Sequence, residues 1–141
     1  SAGQIRRGPK SGPLRDWKDA EERAASWMRH WGWLDAGVTQ SGADGGIDVA
    51  ASGAVAQVKY WAKAVPRPDL QNLVGAASTM PHVRWMLFFS SGGYTTEARA
   101  WADSAGVAIF WFDEGGNPQP QNNLAARIAT GGAESKTLLK E

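Results

Sequence analysis

Apolar residues recur at three- and four-residue spacing through Ala20, Ala24, Trp27, Met28 and Trp31, which defines one face of a helix. Asp16 ahead of them is a good N-cap, with Asp19 three residues on, and Gly32 is the stop. A β-region follows. Residues 34–39 predict a short strand and 41–46 a glycine-rich loop, while 47–51 and 54–61 read as two strands joined by Ser52-Gly53. Beyond a Pro-containing loop, Leu70, Leu73, Val74 and Ala77 give a second amphipathic helix. Residues 84–90 form a continuous apolar run, suited to a central strand covered on both faces. Thr95 or Thr96 caps a third helix with Ala98, Trp101, Ala102 and Ala105 on its apolar side, and Gly106 ends it. A second buried strand over 107–112 and a final helix over about 122–129 complete the order α-β-β-β-α-β-α-β-α. The pattern predicts an α/β fold, a central mixed sheet flanked by helices. Residues 1–13 read as a flexible arm or linker, 14–130 as one folded domain and 131–141 as a disordered tail.

Composition narrows the classes. At 141 residues the chain has the length of one domain with a real core. No stretch approaches the roughly 20 apolar residues that span a bilayer, and no charged-then-apolar leader is visible. The absence of cysteine excludes disulfides and thiolate metal sites and fits a reducing compartment, so the expectation is a soluble cytoplasmic protein with no membrane partner. A net charge of +1 argues against a protein that works only by coating phosphate backbones. It is compatible with acidic ligands that offset a basic groove. The eight tryptophans read mainly as core.

Chemistry concentrates between Gly42 and Trp61. With Ser52-Gly53 as a two-residue loop, Ala51 faces Ala54, Ala50 faces Val55, Val49 faces Ala56 and Asp48 faces Gln57. Alternation adds Lys59 to the face of Asp48 and Gln57, and leaves Val49, Ala51, Ala54, Ala56, Val58 and Tyr60 on the other. An Asp carboxylate with an amide or backbone carbonyl suits a hard divalent cation, and a nearby ammonium can orient water or stabilise phosphoryl charge. Glu21, at the edge of the first helix's apolar stripe, offers a second carboxylate. Asp44 reads either as a turn residue beside Gly45-Gly46 or as an auxiliary carboxylate. His30 and His82 lack partners at metal-ligand spacing, and the 41–46 loop lacks the spacing of a dinucleotide site. Lys63 and Arg67, in the loop after the second hairpin strand, are the candidates for phosphate contact.

Gly42-Ala43-Asp44-Gly45-Gly46-Ile47-Asp48-Val49, then Gln57-Val58-Lys59, with Glu21 upstream, resembles the D…(E/Q)xK signature of the restriction-endonuclease-like nucleases, specifically their Mrr-like branch. The resemblance extends over residues 16–129 and implies a restriction-endonuclease-like core. By that resemblance Asp48, Gln57, the Val58 carbonyl and Glu21 hold Mg²⁺, with Mn²⁺ able to substitute, and Lys59 is the catalytic lysine. Glu22 is the fallback for Glu21 if the helix register is off by one. Gln57 departs from the Glu usual in the wider superfamily, so weaker metal binding is implied. The expected activity is metal-dependent endonucleolytic cleavage of DNA in restriction or anti-phage defence. The alternatives are a non-catalytic DNA-binding module of the same fold, or a structure-specific nuclease of the junction-resolvase kind, which would require a homodimer. A fused or associated DNA-recognition domain outside this chain is a further partner the branch implies.

Overall fold

The computed structural model of the chain describes residues 8–40 and 46–140, with side chains through residue 131. The Asp16 carboxylate accepts the Asp19 N–H at 2.8 Å and so opens α1 (Trp17–His30). After a turn come β1 (Gly37–Val38), β2 (Val49–Ala51) and β3 (Ala54–Lys59), then α2 (Arg67–Ala77), β4 (Trp85–Ser90), α3 (Thr96–Ala105), β5 (Val107–Phe112), β6 (Pro118–Pro120) and α4 (Asn123–Lys140). The Thr95 hydroxyl caps α3 by accepting the Ala98 N–H, and Gly106 closes it in the left-handed conformation at φ 76°.

The strands form one mixed sheet in the order β1-β2-β3-β4-β5-β6. The pairs β1–β2, β2–β3 and β5–β6 are antiparallel, and β3–β4 and β4–β5 are parallel. Strand alternation gives the sheet two apolar faces. On one, Val49, Ala56, Leu87, Phe89 and Phe110 pack with α1 and α4 through Ala24, Met28, Trp31 and Ile128. There Trp31 stacks on Phe110 at 4.8 Å between centroids, and Phe89 on the same ring at 5.0 Å. On the other, Val55, Phe88 and Ile109 meet Leu70 and Leu73 of α2 and Ala98 and Ala102 of α3. Each fully buried large side chain stabilises the fold by about 1.5–3 kcal/mol relative to exposure. The architecture is the α/β mixed sheet flanked by helices that the hydrophobic pattern predicts.

Five details differ from the sequence expectation. The strand expected over 34–39 shrinks to Gly37–Val38, because Asp35 instead turns to accept the Ser52 N–H and hydroxyl. The hairpin ladder stops at Val49↔Ala56, so the predicted Asp48–Gln57 pair does not form. β6 escaped prediction because its Pro118-Gln119-Pro120 sequence reads as a loop; it is an edge strand, where missing N–H groups are tolerated. Residues 8–13, expected to be a free arm, are tied down: the Gly12 N–H donates to the Gly115 carbonyl at 2.8 Å, and Arg23 Nη1 donates to the Gly12 carbonyl at 2.8 Å. Residues 1–7, including Arg6 and Arg7, lie outside the described residues. Finally, α4 runs to Lys140 rather than stopping at Ala129, so residues expected in a disordered tail are helical; the good helix formers after Gly131-Gly132 outweigh that weak pair.

Candidate active site

The site is built where β2 peels away from the sheet. The Thr39 N–H donates to the Asp48 carbonyl at 2.9 Å, and the Thr39 hydroxyl donates to the Ile47 carbonyl at 2.6 Å. The Asp48 N–H donates to the Ala56 carbonyl at 2.8 Å instead of continuing the ladder to Gln57. This frees the Asp48 side chain to turn along β3, where Oδ2 accepts the Val58 N–H at 2.8 Å. The backbone on both sides of Asp48 is thereby fixed, and its carboxylate aim is set by the strand that carries Gln57, Val58 and Lys59.

Glu21 reaches the same point from α1. Its carboxyl comes near enough to Asp48 for the two groups to interact. Burial raises the Glu21 carboxyl to about 7, and the neighbouring Asp48 charge and hydrogen bond push the same way. Burial also raises Asp48, opposed by the Val58 N–H, the Lys59 charge and the hydrogen bond from Glu21. Two carboxylates this close repel unless a proton or a cation stands between them. Glu22 faces elsewhere, 3.7 Å from Arg29 and largely exposed. The helix register therefore brings Glu21 to Asp48, not Glu22.

Gln57 is buried, and among the described residues its Oε1 has no hydrogen-bond partner. Gly46, at φ 103°, lies against this amide, so close that an added Cβ would stand 3.5 Å from Nε2. A buried amide oxygen left without a donor costs roughly 1–3 kcal/mol, which a cation would offset. Among the described residues no group of three or more His, Cys, Asp or Glu forms a cluster. The donors on offer are two coupled carboxylates, an unpartnered amide oxygen and backbone carbonyls. All are oxygen, the set a hard divalent ion takes. His30 packs edge-on to Trp27 and His82 is exposed, so neither joins the site. Asp44 lies outside the described residues.

Lys59 is half-buried at the end of β3, with Nζ 5.0 Å from the Trp61 ring centroid. Lys63 is exposed and holds its Nζ 4.7 Å from the same ring. Arg67 starts α2 and stands 3.9 Å from Glu97, an exposed pair. Trp61 was not singled out from the sequence. The signal was present, since it follows Lys59 by two residues on the same strand side.

The Mrr_cat family model, described as a restriction endonuclease, matches residues 15–114. The chain belongs to this family. No curated protein and no solved structure matches it. The Mrr_cat domain is a nuclease of the restriction-endonuclease type, a hydrolase that cleaves DNA. The matched span contains Glu21, Asp48, Gln57, Val58, Lys59, Lys63 and Arg67, while β6 and α4 lie beyond it. Among the described residues no helix is long and apolar enough to cross a membrane.

Proposed function

We propose that this Mrr_cat domain is a metal-dependent endonuclease that hydrolyses DNA phosphodiester bonds in restriction or anti-phage defence, in the cytoplasm. The observation that carries the metal is the pairing of the Glu21 and Asp48 carboxyls beside the unpartnered Gln57 Oε1. Asp48, Glu21, Gln57 Oε1 and the Val58 carbonyl would hold Mg²⁺ or Mn²⁺. Held by these residues, a divalent ion would supply polarisation of the phosphate and a more acidic water. The chain's own residues do the rest. Val58 N–H and Thr39 hold the Asp48 segment so that its carboxylate needs no reorganisation. Lys59 supplies an ammonium that donates to phosphoryl oxygen and stabilises the charge that grows there. Lys63 contacts flanking phosphate, with Arg67 doing so after release from Glu97. A homodimer and a DNA-reading domain outside this chain are the assembly this reading favours.

Plasmid nicking with Mg²⁺ or Mn²⁺, with and without chelator, tests the reading on wild type, Asp48→Ala and Lys59→Ala. Chelator-sensitive cutting lost in both variants is the expected result. DNA binding without cutting in any metal would instead make this a binding module of nuclease fold, the outcome that the neutral Gln57 makes worth testing. Preferential cutting of branched DNA by a dimer would redirect the reading to a junction resolvase.

A further inference from the structure

Trp61 stands just past the last residue pair of β3, half-buried, with Lys59 and Lys63 both against its ring. Its backbone is clamped. Ser91 Oγ accepts the Trp61 N–H at 2.9 Å and donates to the Trp61 carbonyl at 2.7 Å. The Ser91 N–H in turn donates to the Lys59 carbonyl at 3.1 Å. The next two residues are held as tightly. A Cβ on Gly92 would fall 2.7 Å from the Lys63 carbonyl carbon and 2.9 Å from that of Ala62, so only glycine lets the two loops approach. The indole Nε1 is buried with no hydrogen-bond partner among the described residues.

A lysine at a strand end has a long, mobile stem, and its ammonium samples many positions unless something gathers it. Here the negative face of an indole does so, and the Asp48 carboxylate attracts the same charge. We propose that Trp61 is a positioning residue for Lys59: its clamped ring fixes the ammonium beside Asp48, and its hold on Lys63 brings a second cation to the same platform. The ring also packs against the apolar cluster between the sheet and α2 and α3, which holds its face in place under the two lysines. The inference rests on the nuclease reading for its kinetic consequence, while the placement of the ammonium is a property of the free protein.

The test therefore has two arms, on wild type, Trp61→Phe and Trp61→Leu, with melting curves to confirm folding. Phe keeps a π-face and Leu keeps only apolar bulk. In ¹H–¹³C spectra of lysine-labelled protein, the Lys59 ε-methylene protons are expected upfield of exposed lysines in wild type and Trp61→Phe. In Trp61→Leu they should return to the exposed position. In cleavage, Trp61→Leu is expected to lose about tenfold in kcat with little change in KM, and Trp61→Phe to recover most of it. Lys59 methylenes at the exposed position in wild type would overturn the proposal, as would a folded Trp61→Leu with wild-type kcat. If wild type cuts no DNA, the nuclease reading falls, and the spectra alone decide the placement.

Discussion

At the proposed metal site Gln57 puts a neutral amide where a carboxylate would bring a third negative charge. Buried and without a partner among the described residues, its Oε1 is the position at which one substitution should separate metal affinity from metal-free stability. Gln57→Glu places an ionisable group beside two carboxyls that burial already raises. Without metal the variant should be destabilised by about 2–4 kcal/mol at neutral pH, because a buried charge without a partner is costly. With millimolar Mg²⁺ the loss should be recovered, and half-maximal cutting should need less metal. Melting curves with Mg²⁺ and with chelator read the first effect, and a Mg²⁺ titration of nicking the second. An unchanged metal-free melting point together with an unchanged Mg²⁺ requirement would place Gln57 outside the ion's reach. Glu21 and Glu22 give a matched control one residue apart. Glu21→Gln should cost about 10–100-fold in metal affinity or activity. Glu22→Gln, which gives up only an exposed pair with Arg29, should stay within about 0.5 kcal/mol of wild-type stability.

The β5–β6 turn shows how one carboxylate can organise a whole element. Asp113 Oδ1 accepts the N–H groups of Gly115 and Asn117 at 2.9 Å each, and Oδ2 accepts from Gln119 Nε2 at 2.9 Å. Burial pushes this carboxyl up, but the three hydrogen bonds outweigh it and hold it below the ordinary value of 3.8. A carboxyl lowered in the folded state adds stability that is present above the unfolded value and lost as pH falls through the folded one. Asp113→Ala should therefore cost about 1–2 kcal/mol near neutral pH, and the gap to wild type should narrow as pH falls below the ordinary carboxylate value and through the lowered folded one. Chemical unfolding at several pH values reads this; a gap that persists in acid would mean the turn depends on shape rather than charge. This turn also marks where sequence stopped being informative. The helices and the strands β3, β4 and β5 were legible because each carries a periodic apolar stripe or an unbroken apolar run. β6 carries neither, and its pairing comes from the turn that Asp113 builds. The docking of residues 8–13 depends on buried Arg23, whose carbonyl partners lie 11 and 93 residues away, and no local pattern announces that contact. At the site, the motif residues were legible as types in order. The departure of Asp48 from the ladder was not, because it is decided by the competing bonds of Thr39, Ala56 and Val58.

At the scale of the whole molecule the near-neutral charge becomes a statement about how DNA is held. With a net charge of +1 the chain carries little excess basic charge, so in the proposed reading binding rests on a few local cations such as Lys59 and Lys63. Each phosphate neutralised contributes roughly −0.9 to the slope of log K against log salt. Lys63 is exposed and lies against an uncharged ring, so its charge is available to phosphate. Arg67 stands beside Glu97 and must give up that pair before it releases counterions. Binding measured by fluorescence anisotropy with Ca²⁺ in place of Mg²⁺ should thus show a shallow slope in wild type. Lys63→Ala should flatten it by about one unit, and Arg67→Ala by less than half of that. Equal losses for the two variants would show that the Glu97 pair opens when DNA binds and that Arg67 is a full phosphate contact. A steep wild-type slope left unchanged by both would mean that the duplex lies over another surface, and the placement of the DNA would have to be redrawn around it.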